Sequence, residues 1–118
     1  MHIGYKRGDI ILVDLEPIRG SEQGKTRRCI IVQNDIANLN SPVTNIVPLT
    51  DAKKVQRWYP CLIFLSKDED GLTKDVAAQC NQIRTIDMKE RIIKKKGRVS
   101  DRKMREIDEA LKTHLVLK

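Results

Sequence analysis

The chain has 118 residues, 40% hydrophobic and 33% charged, and its 23 Lys and Arg against 16 Asp and Glu leave a net charge of +7. That length suits one modest core, so residues 1–118 read as a single domain. The composition is globular rather than disordered, and no apolar run approaches the ~20 residues of a membrane helix. The surplus of cations points to a phosphate-bearing or acidic partner, because clustered positive charge gains affinity by releasing counterions.

In chain order, Arg7-Gly8-Asp9 reads as a turn and Ile10 to Leu15 as a first strand, with Ile10 and Leu12 on one face and Ile11 and Val13 on the other. Glu16-Pro17 ends it, since proline lacks the ladder donor. The stretch Gly20 to Arg28 holds two glycines and is too polar for a core, so it reads as a long exposed loop, with Arg27 entering the next strand. Arg28 to Gln33 is a second strand around Cys29-Ile30-Ile31-Val32, followed by a polar turn region from Asn34 to Pro42 in which Gln33, Asn34 and Asp35 are turn formers. Asn45 to Thr50 is a third strand, and Pro48 inside it argues for an edge or a bulge.

Asp51 to Trp58 is polar and without period, a mobile flap; Tyr59 to Leu65 is a fourth strand, and Asp75 to Ile86 supplies a fifth and sixth or one long bent strand. Within it Arg84 is expected to pair with Asp87 or Asp9 and hold the fold. Met88 to Lys96 is mixed, and Gly97 interrupts it. Ser100 then caps a helix in which Met104, Ile107, Leu111 and Leu115 recur at helical spacing. The whole reads as a small, mostly β barrel whose open end is closed by one amphipathic C-terminal helix.

Several chemistries lack their residues. Cys29, Cys61 and Cys80 are odd in number, have no Cys-x-x-Cys spacing and sit in apolar runs, so they read as buried thiols. His2 and His114 lie near opposite ends, which disfavours a histidine acid/base pair or a Ser-His-Asp set; no metal and no cofactor is expected. Gly20 and Gly24 match neither the P-loop nor the dinucleotide spacing. The four aromatics, Tyr5, Trp58, Tyr59 and Phe64, are poor material for a binder that works by base stacking. What remains is stabilisation of an anion by a guanidinium with help from a hydroxyl. No export signal is evident, so a cytoplasmic location is expected.

Arg7-Gly8-Asp9-Ile10, Asp14-Leu15-x-Pro17, Gly20-Ser21-Glu22-Gln23-Gly24, Arg27, Val32-Gln33-Asn34-Asp35, Ser41-Pro42, Pro48-Leu49-Thr50 and Gln82-Ile83-Arg84-Thr85-Ile86-Asp87 occur in that order. Together they resemble the MazF/PemK family of toxin endoribonucleases from bacterial toxin–antitoxin pairs. The resemblance implies a homodimeric SH3-like barrel of the CcdB/PemK type. It also implies metal-independent, sequence-specific cleavage of single-stranded RNA by 2′-OH attack, leaving a 2′,3′-cyclic phosphate and a 5′-OH. On the same basis Arg27 and Thr50 match the catalytic pair, Ser21, Glu22 and Gln23 the loop that contacts RNA, and Asn81 and Gln82 a substrate-contacting edge. Lys25 and Arg28 add cations beside Arg27, where family members usually carry glycine and proline. That change makes the loop more basic and less sharply bent. The segment from Met88 to Val99 is about one residue longer than the pattern expects. A cognate acidic antitoxin of the MazE kind is the implied partner, with no membrane involved. Two other readings stay open: a non-enzymatic CcdB-like toxin that binds a protein such as gyrase, and a plain nucleic-acid-binding barrel.

Overall fold

The computed structural model describes residues 4–16, 20 and 25–118. Ser21, Glu22 and Gln23 lie outside them. Seven strands, β1 (Asp9–Asp14), β2 (Thr26–Ile31), β3 (Val43–Asp51), β4 (Leu62–Leu65), β5 (Val76–Gln79), β6 (Arg84–Asp87) and β7 (Ile92–Arg98), form one antiparallel sheet. They follow the order β4-β5-β3-β2-β1-β7, with β6 also paired to β3. Three helices complete the fold: α1 (Asp35–Asn40), α2 (Met88–Arg91) and α3 (Asp101–Leu115).

The β-branched runs bury both faces of the central strands, as alternation along β1 requires. Ile10 faces one apolar cluster with Ile30, Val47, Leu49 and Leu65, while Ile11 and Val13 face another with Cys29, Ile31, Ile46 and Ile86. Helix α3 covers the first cluster. Ser100 caps it, its Oγ accepting from the Lys103 amide, and Met104, Ile107 and Ala110 are the residues it buries. Leu115, expected on the same stripe, is 47% exposed because the helix runs past the edge of that cluster.

Three local expectations change, and between the two readings of the segment from 75 to 86 the first holds. The turn region after β2 is helical: Asn34 caps α1 by accepting from the Ala37 amide, and buried Asn38 ties it to Thr44 and Gln33. The flap after β3 contains a 3₁₀ turn, Ala52–Lys54, capped by Asp51. The segment from 75 to 86 is two strands separated by a 3₁₀ turn, Cys80–Gln82. Pro48 is neither at an edge nor at a bulge. The Val32 amide donates to Asn45 O at 2.9 Å, so odd-numbered residues of β3 aim their amides at β2 and position 48 aims away from it. On that far side β6 pairs residues 43–46 and β5 pairs residues 49–51, so the missing donor falls in the gap between two partners.

The strand β7 went unread because its lysines hide the pattern. It pairs with β1, with irregularities beside Ile10/Ile11 and Leu12/Val13 that leave Lys96 and Ile93 without a partner. Its cations serve the one buried carboxylate among the described residues: Asp9, fully buried, takes Lys95 and Arg98 at 3.3 Å each and accepts from the Lys6 amide at 2.8 Å. Arg84 is therefore not the partner of Asp9, nor does it pair with Asp87 among the described residues.

Gly97 lies inside β7 because another backbone needs its space. A Cβ there would stand 2.7 Å from the Gly71 Cα, in the turn between β4 and β5. That approach brings the two ends of the strand order, β4 and β7, near each other although no ladder joins them. Gly97→Ala is expected to cost about 1–3 kcal/mol by overpacking, read as a lower urea midpoint with an unchanged slope.

Candidate active site

Register fixes the position of the two residues singled out for catalysis. Strands β2 and β3 pair Ile31 with Ile46, Ile30 with Val47 and Cys29 with Pro48. Continued by two residues, that register sets Arg27 against Thr50, and opposed residues in an antiparallel pair project from the same face. The ladder stops at Cys29 and Pro48. Beyond it lies a cleft of about 160 Å³, lined by Arg27, Arg28, Thr50, Asp51, Thr73 and Lys74 among others. Arg27 and Thr50 are both half-buried. Each is carried on a strand anchored by buried residues, Cys29 to Ile31 in β2 and Ile46 to Leu49 in β3, so the scaffold restricts where a guanidinium and a hydroxyl can point. The Thr50 hydroxyl makes no hydrogen bond among the described residues.

Electrostatics place a second guanidinium on this side of the sheet. Burial pushes the Cys29 thiol up to about 12, and the positive charges of Arg27, then Arg84, oppose that rise. Arg84 pairs with Ile46 in the β6–β3 register, on the cluster that contains Cys29. Its place in the Gln-Ile-Arg-Thr block was visible in the sequence, but its face became visible only with the register. Cys29 itself is a neutral thiol at physiological pH, as is Cys80, which burial also raises to about 12.

The remaining sequence candidates divide. Arg28 lines the cleft, yet its Nε donates to Gly71 O at 3.0 Å, so part of its guanidinium ties β2 to the β4–β5 turn. Lys25 is exposed just before β2 and takes φ +63°, the left-handed conformation that glycine adopts without penalty. At this one position the backbone takes the bend that glycine would take most easily; the loop residues 21–24, on which the expected softer bend depends, lie outside the described residues. Lys25→Gly is expected to stabilise the fold by about 1 kcal/mol, read as a rise in melting temperature. Asn81 and Gln82 sit on the 3₁₀ turn after β5 and are half-buried; Asn81 Oδ1 is buried with no hydrogen-bond partner among the described residues.

Asp51, Thr73 and Lys74 were not singled out beforehand. The Lys53 amide and then Lys74 hold the Asp51 carboxyl below the usual carboxylate range, so it stays ionised well into acid. The cleft therefore presents guanidinium, ammonium and hydroxyl donors around a small space, with one paired carboxylate at its rim. Such a set suits a phosphodiester, whose charge grows as its phosphorus becomes five-coordinate.

Residues 6–115 match the family model described as PemK-like, MazF-like toxin of type II toxin-antitoxin system. The chain belongs to the PemK/MazF toxin family. A curated relative, endoribonuclease MazF9 of Mycobacterium tuberculosis, is 42% identical to this toxin over 117 residues, 95% of this chain and 97% of the relative. Among solved structures, an endoribonuclease in complex with its cognate antitoxin from a mycobacterial species superimposes with a TM-score of 0.78 at 25% identity, covering 98% of each chain. MazF from Deinococcus radiodurans gives a TM-score of 0.78 at 17% identity, covering 96% of this toxin and 97% of that chain, which speaks to fold alone.

Proposed function

We propose that this toxin is an endoribonuclease that cuts single-stranded RNA at short sequences without a metal ion, using Arg27 and Thr50 as its catalytic pair. The observation that carries the reading is that those two residues line one cleft, just past the last pair of the β2–β3 ladder. The substrate's own 2′-oxygen forms a bond to phosphorus, the bond to the 5′-oxygen breaks, and the products are a 2′,3′-cyclic phosphate and a 5′-OH. The 2′-OH proton leaves to a base, and the departing 5′-oxygen takes one up. Arg27 places a forked pair of charge-assisted donors on the phosphoryl oxygens, and the Thr50 hydroxyl adds a third. A guanidinium stays protonated through the working pH range, so Arg27 acts as a clamp rather than as the base.

Ser21, Glu22, Gln23, Lys25, Arg28, Asn81 and Gln82 are assigned to RNA contact on the family pattern. The toxin acts as a homodimer in the cytoplasm, a pair carrying twice the +7 of one chain along the RNA groove. An acidic antitoxin neutralises it, as the complex of the mycobacterial endoribonuclease with its cognate antitoxin suggests. The CcdB-like alternative gains no support, since the 42%-identical relative is named an endoribonuclease.

Purified protein incubated with RNA in EDTA tests the reading. Cleavage with cyclic-phosphate ends is expected, and the DNA copy of the same sequence should survive because it lacks the nucleophile. Intact RNA would overturn it.

A further inference from the structure

Beside the catalytic cleft lies a larger hollow of about 610 Å³, whose lining includes Asp51, Lys53, Trp58, Phe64, Lys67 and Lys74. The two spaces are neighbours, for Asp51, Thr73 and Lys74 line both. Trp58 and Phe64 meet edge to face with centroids 6.1 Å apart, yet they are 44% and 43% exposed. Aromatic surface left open to water beside a charged cleft calls for an occupant.

The surrounding charge indicates its chemistry. Three ammonium groups face two carboxylates, and both carboxylates are engaged by backbone: Asp51 Oδ1 by the Lys53 amide at 2.9 Å and Asp75 Oδ1 by the Lys67 amide at 2.8 Å. Asp51 also holds Lys74 at 3.3 Å. Lys53 and Lys67, both exposed, make no salt bridge among the described residues, although the Lys53 charge also acts on Asp51. A flat aromatic face ringed by cations, next to a phosphate site, suits a nucleobase with its phosphate, and the volume lies in the range of sites for small organic ligands.

We propose that this hollow is a nucleotide subsite, in which Trp58 stacks on the base of a nucleotide flanking the scissile phosphate while Lys53 and Lys67 hold the adjoining phosphate. The proposal rests on the endoribonuclease reading of the neighbouring cleft. The few aromatics of the chain are thereby concentrated where one stacked base is enough. Because stacking tolerates any base, the subsite supplies affinity and alignment, and sequence discrimination resides elsewhere.

Trp58 is the only tryptophan in the chain, so its fluorescence reports on the subsite directly. Titrating the wild-type protein with a 2′-O-methyl RNA, which has no free nucleophile, is expected to quench that emission saturably. Trp58→Ala should lower kcat/KM for RNA cleavage by about 5- to 100-fold with an unchanged melting temperature, and Trp58→Phe should keep most of the activity. Lys53→Ala combined with Lys67→Ala should flatten the salt dependence of RNA binding. Cleavage by Trp58→Ala at the wild-type rate would overturn the subsite, whatever the fluorescence does. If wild-type protein cuts no RNA at all, the failure belongs to the catalytic reading. Fluorescence then decides the subsite alone: quenching supports it, and unchanged emission overturns it.

Discussion

Arg27→Ala is expected to lower the rate of RNA cleavage by about 100- to 1,000-fold while leaving the circular-dichroism spectrum unchanged. The size follows from what is lost: a forked, charged donor aimed at a phosphoryl group whose negative charge grows toward the transition state. Neighbouring cations do not replace it. Lys25 sits outside the strand on an exposed turn, and Arg28 spends its Nε on Gly71 O at 3.0 Å. Arg27→Lys keeps the charge and loses the fork, so its rate falls between the two, because a single ammonium cannot bridge two oxygens at once. Single-turnover cleavage of a short RNA measures both variants apart from product release. An unchanged rate in Arg27→Ala would remove the clamp from the mechanism.

The strands that form the floor of the site were readable because apolar β-branched residues dominate them, as in Ile10 to Val13 and Cys29 to Val32. Their neighbour β7 was not, since three of its seven residues are lysine and its partnership with β1 depends on a buried aspartate far away in sequence. Pro48 misled for a related reason. A proline rule applied to one strand cannot know that the strand changes partners at that residue. Arg27 and Thr50 were legible as a pair only through the family pattern. What the structure adds is the cleft that both residues line and, from the β6–β3 register, the side of the sheet on which Arg84 stands. The hollow beside them was illegible: Trp58 and Phe64 are separated by an apolar stretch, and neither carries a motif.

Ile107→Ala is expected to destabilise the toxin by about 2–5 kcal/mol, lowering the melting temperature by roughly 10 °C or more. Ile107 is fully buried and belongs to the cluster that joins α3 to Ile10, Ile30 and Leu65, residues from three different strands. Since β4 and β7 share no ladder, apolar contact with α3 is a main restraint on the β4–β5 end of the sheet. Truncation removes three carbons and leaves a cavity whose walls, being strand backbone and packed aliphatic side chains, relax little. No residue of α3 lines the cleft, although its apolar wall of Leu49, Leu72 and Val76 belongs to the same cluster as Ile107, so most of the cleavage per folded molecule should be preserved at low temperature. A loss of activity that exceeds the loss of folded protein would mean that α3 also positions the β3–β5 edge of the site. A melting temperature within a few degrees of wild type would mean that the helix merely rests on the sheet.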